Sequence, residues 1–284
     1  MFILGVILAV LIGVTLGLLG GGGSILTVPI LLYVFELPPE QAITASLLVV
    51  GATSAVSLVP HAIAGRVRWR TGALFGAASM AGAYLGGRVS KLLPPSLLVL
   101  GFGVMMLVTA VAMMRGRRDL SSAAPATPPL ARIAAQGVGV GAVTGLIGAG
   151  GGFLVVPALV LLGRLSMTSA VGTSLLVIAM NSAAGFLGHS GVSVPYNIAL
   201  PVAGAAIVGS LIGSRFASRV APDSLRRGFA WFVVAMAIFV LGQQVPRLFG
   251  VTLTLAQSAP WLLPAMALVP LYAALSARRP THTA

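Results

Sequence analysis

Apolar residues fall in long runs along this chain, at about 3–35, 41–65, 71–93, 96–114, 133–163, 168–190, 196–218, 225–246 and 251–275. Most of these runs are close to the ~20 residues that carry an α-helix across a hydrocarbon core of ~30 Å, so each is read as a helix. The runs 3–35 and 133–163 are exceptions, because each is too long for one straight span and each is interrupted by glycines. The one polar linker of any length, RGRRDLSSAAPATPPLAR at 115–132, divides the chain near its middle.

Shifting the sequence by 128 positions exposes an internal repeat. GVTLGLLGGGGSILTVPIL at 13–31 lies over GAVTGLIGAGGGFLVVPAL at 141–159 with ten identities in nineteen positions. The same offset brings ASLLVV (45–50) over TSLLVI (173–178) and His61 over His189, then drifts slightly so that Gly82, Gly86 and Arg88 meet Gly209, Gly213 and Arg215. The chain is therefore a duplicated unit at 1–114 and 133–246, joined by the 115–132 linker and followed at 247–284 by an extra apolar segment and a short basic tail.

Basic residues test how the two units are oriented. If every run crosses the membrane once, the seventeen Lys and Arg divide eight against nine, which is no asymmetry. If 133–163 instead turns at its glycines and leaves on the side it entered, fourteen collect on one face and only Arg88, Lys91 and Arg247 on the other, as the positive-inside rule expects. The arms agree in length: twelve residues at 24–35 make a helix of ~18 Å and eleven at 153–163 one of ~17 Å, both short of the core. The repeat extends this shape to 3–35. Each unit then has three full crossings, so the second copy is upside down relative to the first, an inverted-repeat plan. The expected topology has a periplasmic N-terminus, with the linker and C-terminus cytoplasmic, in a bacterial-type inner membrane.

Composition agrees with the bilayer as solvent, since 58% of residues are hydrophobic and only 7% charged. A net charge of +13 also raises a nucleic-acid surface, but the basic residues stand at the ends of apolar runs, which excludes that partner. The absence of cysteine removes disulfides, thiolate metal sites and cysteine nucleophiles. The first apolar run lacks a basic n-region and a small-residue cleavage site and recurs later in the chain, so it is expected to stay in the mature structure.

Candidate chemistry concentrates at the glycine breaks. Non-helical backbone at membrane depth needs protein or a water-filled cavity to satisfy it, and a helix that starts inside the membrane offers unpaired N–H groups and about half a positive charge. Gly20, Gly22, Gly23 and Ser24 in the first run, and Gly148, Gly150, Gly151 and Gly152 in the second, are the expected anion-facing backbone. Gly13, Gly17, Gly82 and Gly86 read instead as close helix-packing positions. Downstream of each break, Ser46, Thr53 and Ser54 lie over Ser174, Asn181 and Ser182, with Thr173 alongside. Of these, Ser46, Thr53, Thr173, Ser174 and Asn181 are taken as candidate donors to a substrate's oxygens. His61 and His189 are the candidates for proton linkage. No GxxxxGK[ST], no strand before the glycines and no carboxylate within a span appears, so neither ATP-driven pumping nor a carboxylate relay has residues to run on. No metal ligand set, cofactor or catalytic constellation is expected.

The paired G-x-x-x-G-x-x-G-x-G-G-x-x-x-x-V-P-x-L motif, Gly13 to Leu31 and Gly141 to Leu159, resembles the TauE/SafE sulfite exporter family, also called the 4-toluene sulfonate uptake permease family. The resemblance covers roughly 5–245. It implies transport of sulfite, sulfonates, thiosulfate, sulfoacetate or related organosulfur anions, by uptake or by export. The reading is thus an all-α polytopic membrane protein that carries a small anion between two glycine-rich hairpin tips. A passive anion channel and a membrane scaffold for soluble sulfur-handling partners are the alternatives. Homo-oligomerisation and a soluble cytoplasmic partner stay open.

Overall fold

A computed structural model describes residues 2–90, 92–93, 95–115, 130–147, 152–188, 192–217 and 222–248. Regular structure among them is entirely helical: α1 Phe2–Leu19, α2 Gly22–Tyr33, α3 Pro39–Ile63, α4 Trp69–Ser90, α5 Pro95–Arg115, α6 Leu130–Ile147, α7 Gly152–Leu161, α8 Met167–Gly188, α9 Tyr196–Ala217 and α10 Pro222–Leu248. Helix α5 ends at Arg115 and α6 begins at Leu130, and residues 116–129 of the linker lie outside the described residues. The extra segment at 251–275 lies outside the described residues.

The run at 3–35 is two helices. Gly20 adopts a left-handed backbone (φ 75°) after α1, and its N–H still bonds the Leu16 carbonyl at 2.8 Å. A residue with a Cβ enters that conformation only at a cost, so glycine here ends the helix and lets the chain turn. The returning α2 packs back on α1: Gly23 lies against the Ile12 carbonyl and Leu16, and at the far end Gly5 lies against the Phe35 ring. Both arms are thereby held side by side.

Among the described residues three helices, over Glu40–Ile63, Met167–Leu187 and Tyr196–Ala217, are individually long and apolar enough to cross a membrane. In lipid there is little hydrophobic drive between helices, so close van der Waals packing at small residues has to supply the association. The backbone contacts follow that rule. Along α1 and α9, Gly13 and Gly17 meet the Ala206 and Ser210 carbonyls, while Gly209 and Gly213 meet those of Val10 and Val14. Along α4 and α6, Gly141 and Gly145 meet the Ser79 and Ala83 carbonyls, and Gly82 that of Val138. Both pairs run parallel. By contrast α3 and α8 run antiparallel, with Gly51 opposite Ser182 and Leu47 opposite Gly185.

The two larger clusters of buried side chains tie further helices together. Ile12, Leu26, Met106, Phe229, Phe232 and Met236 join α1 and α2 to α5 and α10. Leu16, Val50, Phe75, Val155, Leu159 and Ile178 join α1, α3, α4, α7 and α8. Large apolar side chains also cover the outside, among them Ile63 (83% exposed) and Leu187 (74%), as a lipid-facing surface requires. Exposed Trp69 and Tyr196 start α4 and α9, and the Arg88 guanidinium lies 5.4 Å from the Tyr84 ring centre near the end of α4. Aromatic and basic side chains at helix ends mark the level of the lipid headgroups.

Candidate functional site

At the first break, α2 starts without a side-chain cap: Gly21 occupies the N-cap position and offers none. The opening N–H groups of a helix lack the usual partner one turn back; that of Ser24 bonds the Gly21 carbonyl at 3.3 Å, which leaves Gly22 and Gly23 to present donors at the positive end of the dipole. Ser24 is buried and spends its hydroxyl proton on the Gly21 carbonyl at 2.7 Å, which holds the turn closed. Gly20 presses on α8, where an added Cβ would come within 2.5 Å of Ser174 Oγ and 3.0 Å of the Val171 carbonyl. Gly22 opens α2, whereas Gly23 serves the approach of α2 to α1.

Gly152, the first residue of α7, lies beside this turn. A Cβ added there would stand 2.5 Å from Ser24 Oγ and 3.1 Å from Ile178 Cδ1. The starts of the two short helices therefore meet. Gly148, Gly150 and Gly151 of the second run, and His189, lie outside the described residues.

The candidate donors of α3 and α8 are not gathered in one place. Gly51 is level with Ser182 on an antiparallel partner, so Ser46 and Ser174 lie on opposite sides of that level, about 20 Å apart along the helices at ~1.5 Å per residue. Their protons are also committed, Ser46 to the Ile43 carbonyl (2.7 Å), Ser174 to that of Val171 (2.8 Å) and Thr53 to that of Val49 (2.6 Å). Thr173 accepts the Arg68 backbone N–H at 3.0 Å and so ties the loop before α4 to α8. Asn181 donates from Nδ2 to Ser79 Oγ at 2.8 Å, joining α8 to α4, while its Oδ1 has no partner. Ser79 carries no repeat counterpart, which is why sequence inspection passes over it.

Residues 5–240 match the family described as "Sulfite exporter TauE/SafE". The chain belongs to this family. "Probable membrane transporter protein" of Xylella fastidiosa (strain 9a5c) is 36% identical over 238 residues, covering 81% of this chain and 91% of the relative. A protein of the same description from Methanocaldococcus jannaschii is 27% identical over 262 residues, covering 84% and 97%. One from Bacillus subtilis (strain 168) is 31% identical over 212 residues, covering 66% and 78%. No solved structure matches. This TauE/SafE protein is a membrane transporter, held in a lipid bilayer and acting on a small substrate.

The buried histidine of this TauE/SafE chain faces α1. His61 Nε2 lies 3.2 Å from the Gly17 carbonyl, an acceptor only, so Nε2 carries the proton and Nδ1 is left without a partner. The bond links the C-terminal end of α3 to the last turn of α1, just before Gly20. Among the described residues no group of three His, Asp or Glu could hold a metal ion.

Proposed function

We propose that this protein is a secondary carrier for a small sulfur oxyanion or sulfonate, built from two inverted units whose short re-entrant helices start at a shared midplane site. The observation that carries the reading is the contact of Ser24 with Gly152. These residues are 128 positions apart, the offset of the repeat, so the two helix starts meet at equivalent points.

Inversion is supported by the directions of packing. A twofold axis along the membrane normal would leave equivalent helices parallel, whereas an axis in the membrane plane makes them antiparallel, and the equivalent pair α3 and α8 is antiparallel. The exchanged pairs α1 with α9 and α4 with α6 fit the same axis. Return of each short helix to its own side is supported by the Gly5 contact with Phe35 and by matching ends. Glu36 (φ 54°) and Arg164 (φ 57°) are equivalent positions, and each is followed by an N–H reaching back six residues, Leu37 to Leu31 at 3.1 Å and Leu165 to Leu159 at 3.0 Å. The acidic member then faces the periplasm and the basic one the cytoplasm, in line with the positive-inside rule.

In this arrangement the uncapped first turn of α2, with the start of α7 beside it, supplies N–H donors and dipole to an anion, and no arginine is buried among the described residues to hold it back. Alternating exposure of the site moves the anion, and the family resemblance supplies the sulfur chemistry. Purified protein in liposomes, assayed with sulfite, thiosulfate, taurine and an aryl sulfonate against sulfate and chloride, tests the proposal. Saturable, counter-ion-dependent flux of a sulfur anion is expected. Linear flux without counter-ion dependence would favour a channel, and no response to any sulfur anion would end the reading.

A further inference from the structure

Hydroxyls buried in membrane helices ordinarily donate to a carbonyl one turn back. Thr15, Ser24, Thr27, Thr44, Ser46, Thr53, Thr144, Ser174, Ser210 and Ser214 all do so here. Ser54, Ser57 and Ser182 do not: each is fully buried and its Oγ has no partner. A buried donor left unpaired is costly, so such groups need a reason.

Position supplies one. Ser54 and Ser182 are separated by 128 residues and are therefore equivalent. Ser182 faces Gly51, whose missing side chain lets α8 approach α3 closely: an added Cβ would sit 3.0 Å from Ser182 Cβ. Ser54 is one turn beyond Gly51 on the same face, level with residue 179 on α8, so the two serines differ by only about 4–5 Å along the helices. Along α8, Ser174, Ile178 and Ser182 occupy successive turns of one row, with Ser174 against Gly20 and Ile178 against Gly152. The serine pair thus lies one turn from the meeting point of the two short helices.

We infer that Ser54 and Ser182 are the side-chain donors that hold the transported anion's oxygens, one from each unit, on the axis that relates them. This deepens the carrier reading and rests on it. The three structurally committed hydroxyls singled out in the sequence, Ser46, Thr53 and Ser174, are replaced in that role by the pair with free protons. A donor pair on the axis offers the same contacts to an anion arriving from either face, as a carrier that alternates between mirror-like states requires. Ser57, one turn beyond Ser54 on the same face, extends the free hydroxyls toward the Arg66 end of α3.

The test compares Ser54→Ala, Ser182→Ala and the double variant with wild type and with Ser210→Ala, whose hydroxyl is committed to the Ile207 carbonyl. Dissociation constants for sulfite, or for whichever sulfur anion wild type binds, are read by calorimetry, alongside the melting temperature without anion. Each single variant is expected to weaken binding roughly tenfold or more and the double variant further, with Ser210→Ala within about twofold, as for loss of a hydrogen bond to a charged group. Melting without anion should be unchanged or raised, since the alanines remove unpaired donors. Unchanged affinities in the serine variants, as for hydroxyls that hold only a water, would overturn the inference while leaving the carrier standing. So would a melting loss that parallels the affinity loss, since it marks a structural role. Absence of sulfur-anion binding by wild type would overturn both.

Discussion

Ser24 and Gly152 hold equivalent places in the two units and touch, the hydroxyl of one filling the space where the other has no side chain. Each short helix is therefore positioned by the start of the other. A Cβ at 152 has to displace Ser24 or Ile178, both buried, so the two starts cannot keep their spacing when the residue grows.

Gly152→Leu is accordingly expected to abolish anion flux in liposomes. Gly152→Ala should lower it by a smaller factor, since the Ser24 hydroxyl is a small group and can shift. Normal flux in Gly152→Leu would remove the shared site. Gly20→Ala combines a left-handed backbone with a close approach to Ser174 and Val171, and should cost about 1–3 kcal/mol, read as a fall in melting temperature.

Glycines divide sharply by what surrounds them, and their substitution should divide in the same way. Gly17 and Gly141 sit directly on carbonyls of neighbouring helices, those of Ser210 and Ser79, which cannot move away from a new methyl group without parting the helices. Gly17→Ala and Gly141→Ala are expected to destabilise by roughly 1–3 kcal/mol, the range of overpacking. Gly139 and Gly204 have nothing within 4 Å. Gly139→Ala and Gly204→Ala should be neutral or raise stability by up to ~1 kcal/mol through helix propensity. Thermal melts in one detergent compare all four.

Much of this was legible in the residues, and the rest was hidden for definite reasons. The glycine breaks and the offset of 128 could be read because both depend on residue identity. The matching helix ends at Glu36 and Arg164 could not, because a left-handed cap is a property of the backbone and unlike side chains adopted it. Packing of α1 on α9 and of α4 on α6 exchanges elements between units, and periodicity within one helix carries no information about its partner. The hydroxyls were visible, but whether a serine proton is free or committed depends on its rotamer; Ser46 and Ser54 look alike until their bonds are seen. His61 was a candidate for proton linkage on its chemistry alone, and its contact with Gly17 came only from the fold.

That contact gives His61 a positioning task. Replacing it with alanine leaves the Gly17 carbonyl without its side-chain partner next to the turn, and the lost hydrogen bond and ring volume together should cost a few kcal/mol. His61→Gln keeps an N–H donor of similar reach and is expected to retain most of the stability. If its pH profile for flux matches wild type, the role is structural; a profile that flattens in His61→Gln while stability holds would return His61 to proton coupling.

The orientation of the two units can be read chemically because the chain has no cysteine of its own. Glu36 and Arg164 follow the two short helices and are both exposed, so single cysteines there disturb no buried contact. In inverted units these equivalent positions lie on opposite faces of the membrane. A membrane-impermeant maleimide added to intact cells should label Glu36→Cys and leave Arg164→Cys unlabelled until the cells are opened. Parallel units would put both on one face. Labelling of both from outside, or of neither, would therefore contradict the inverted arrangement, and with it the midplane meeting of two oppositely directed helix starts.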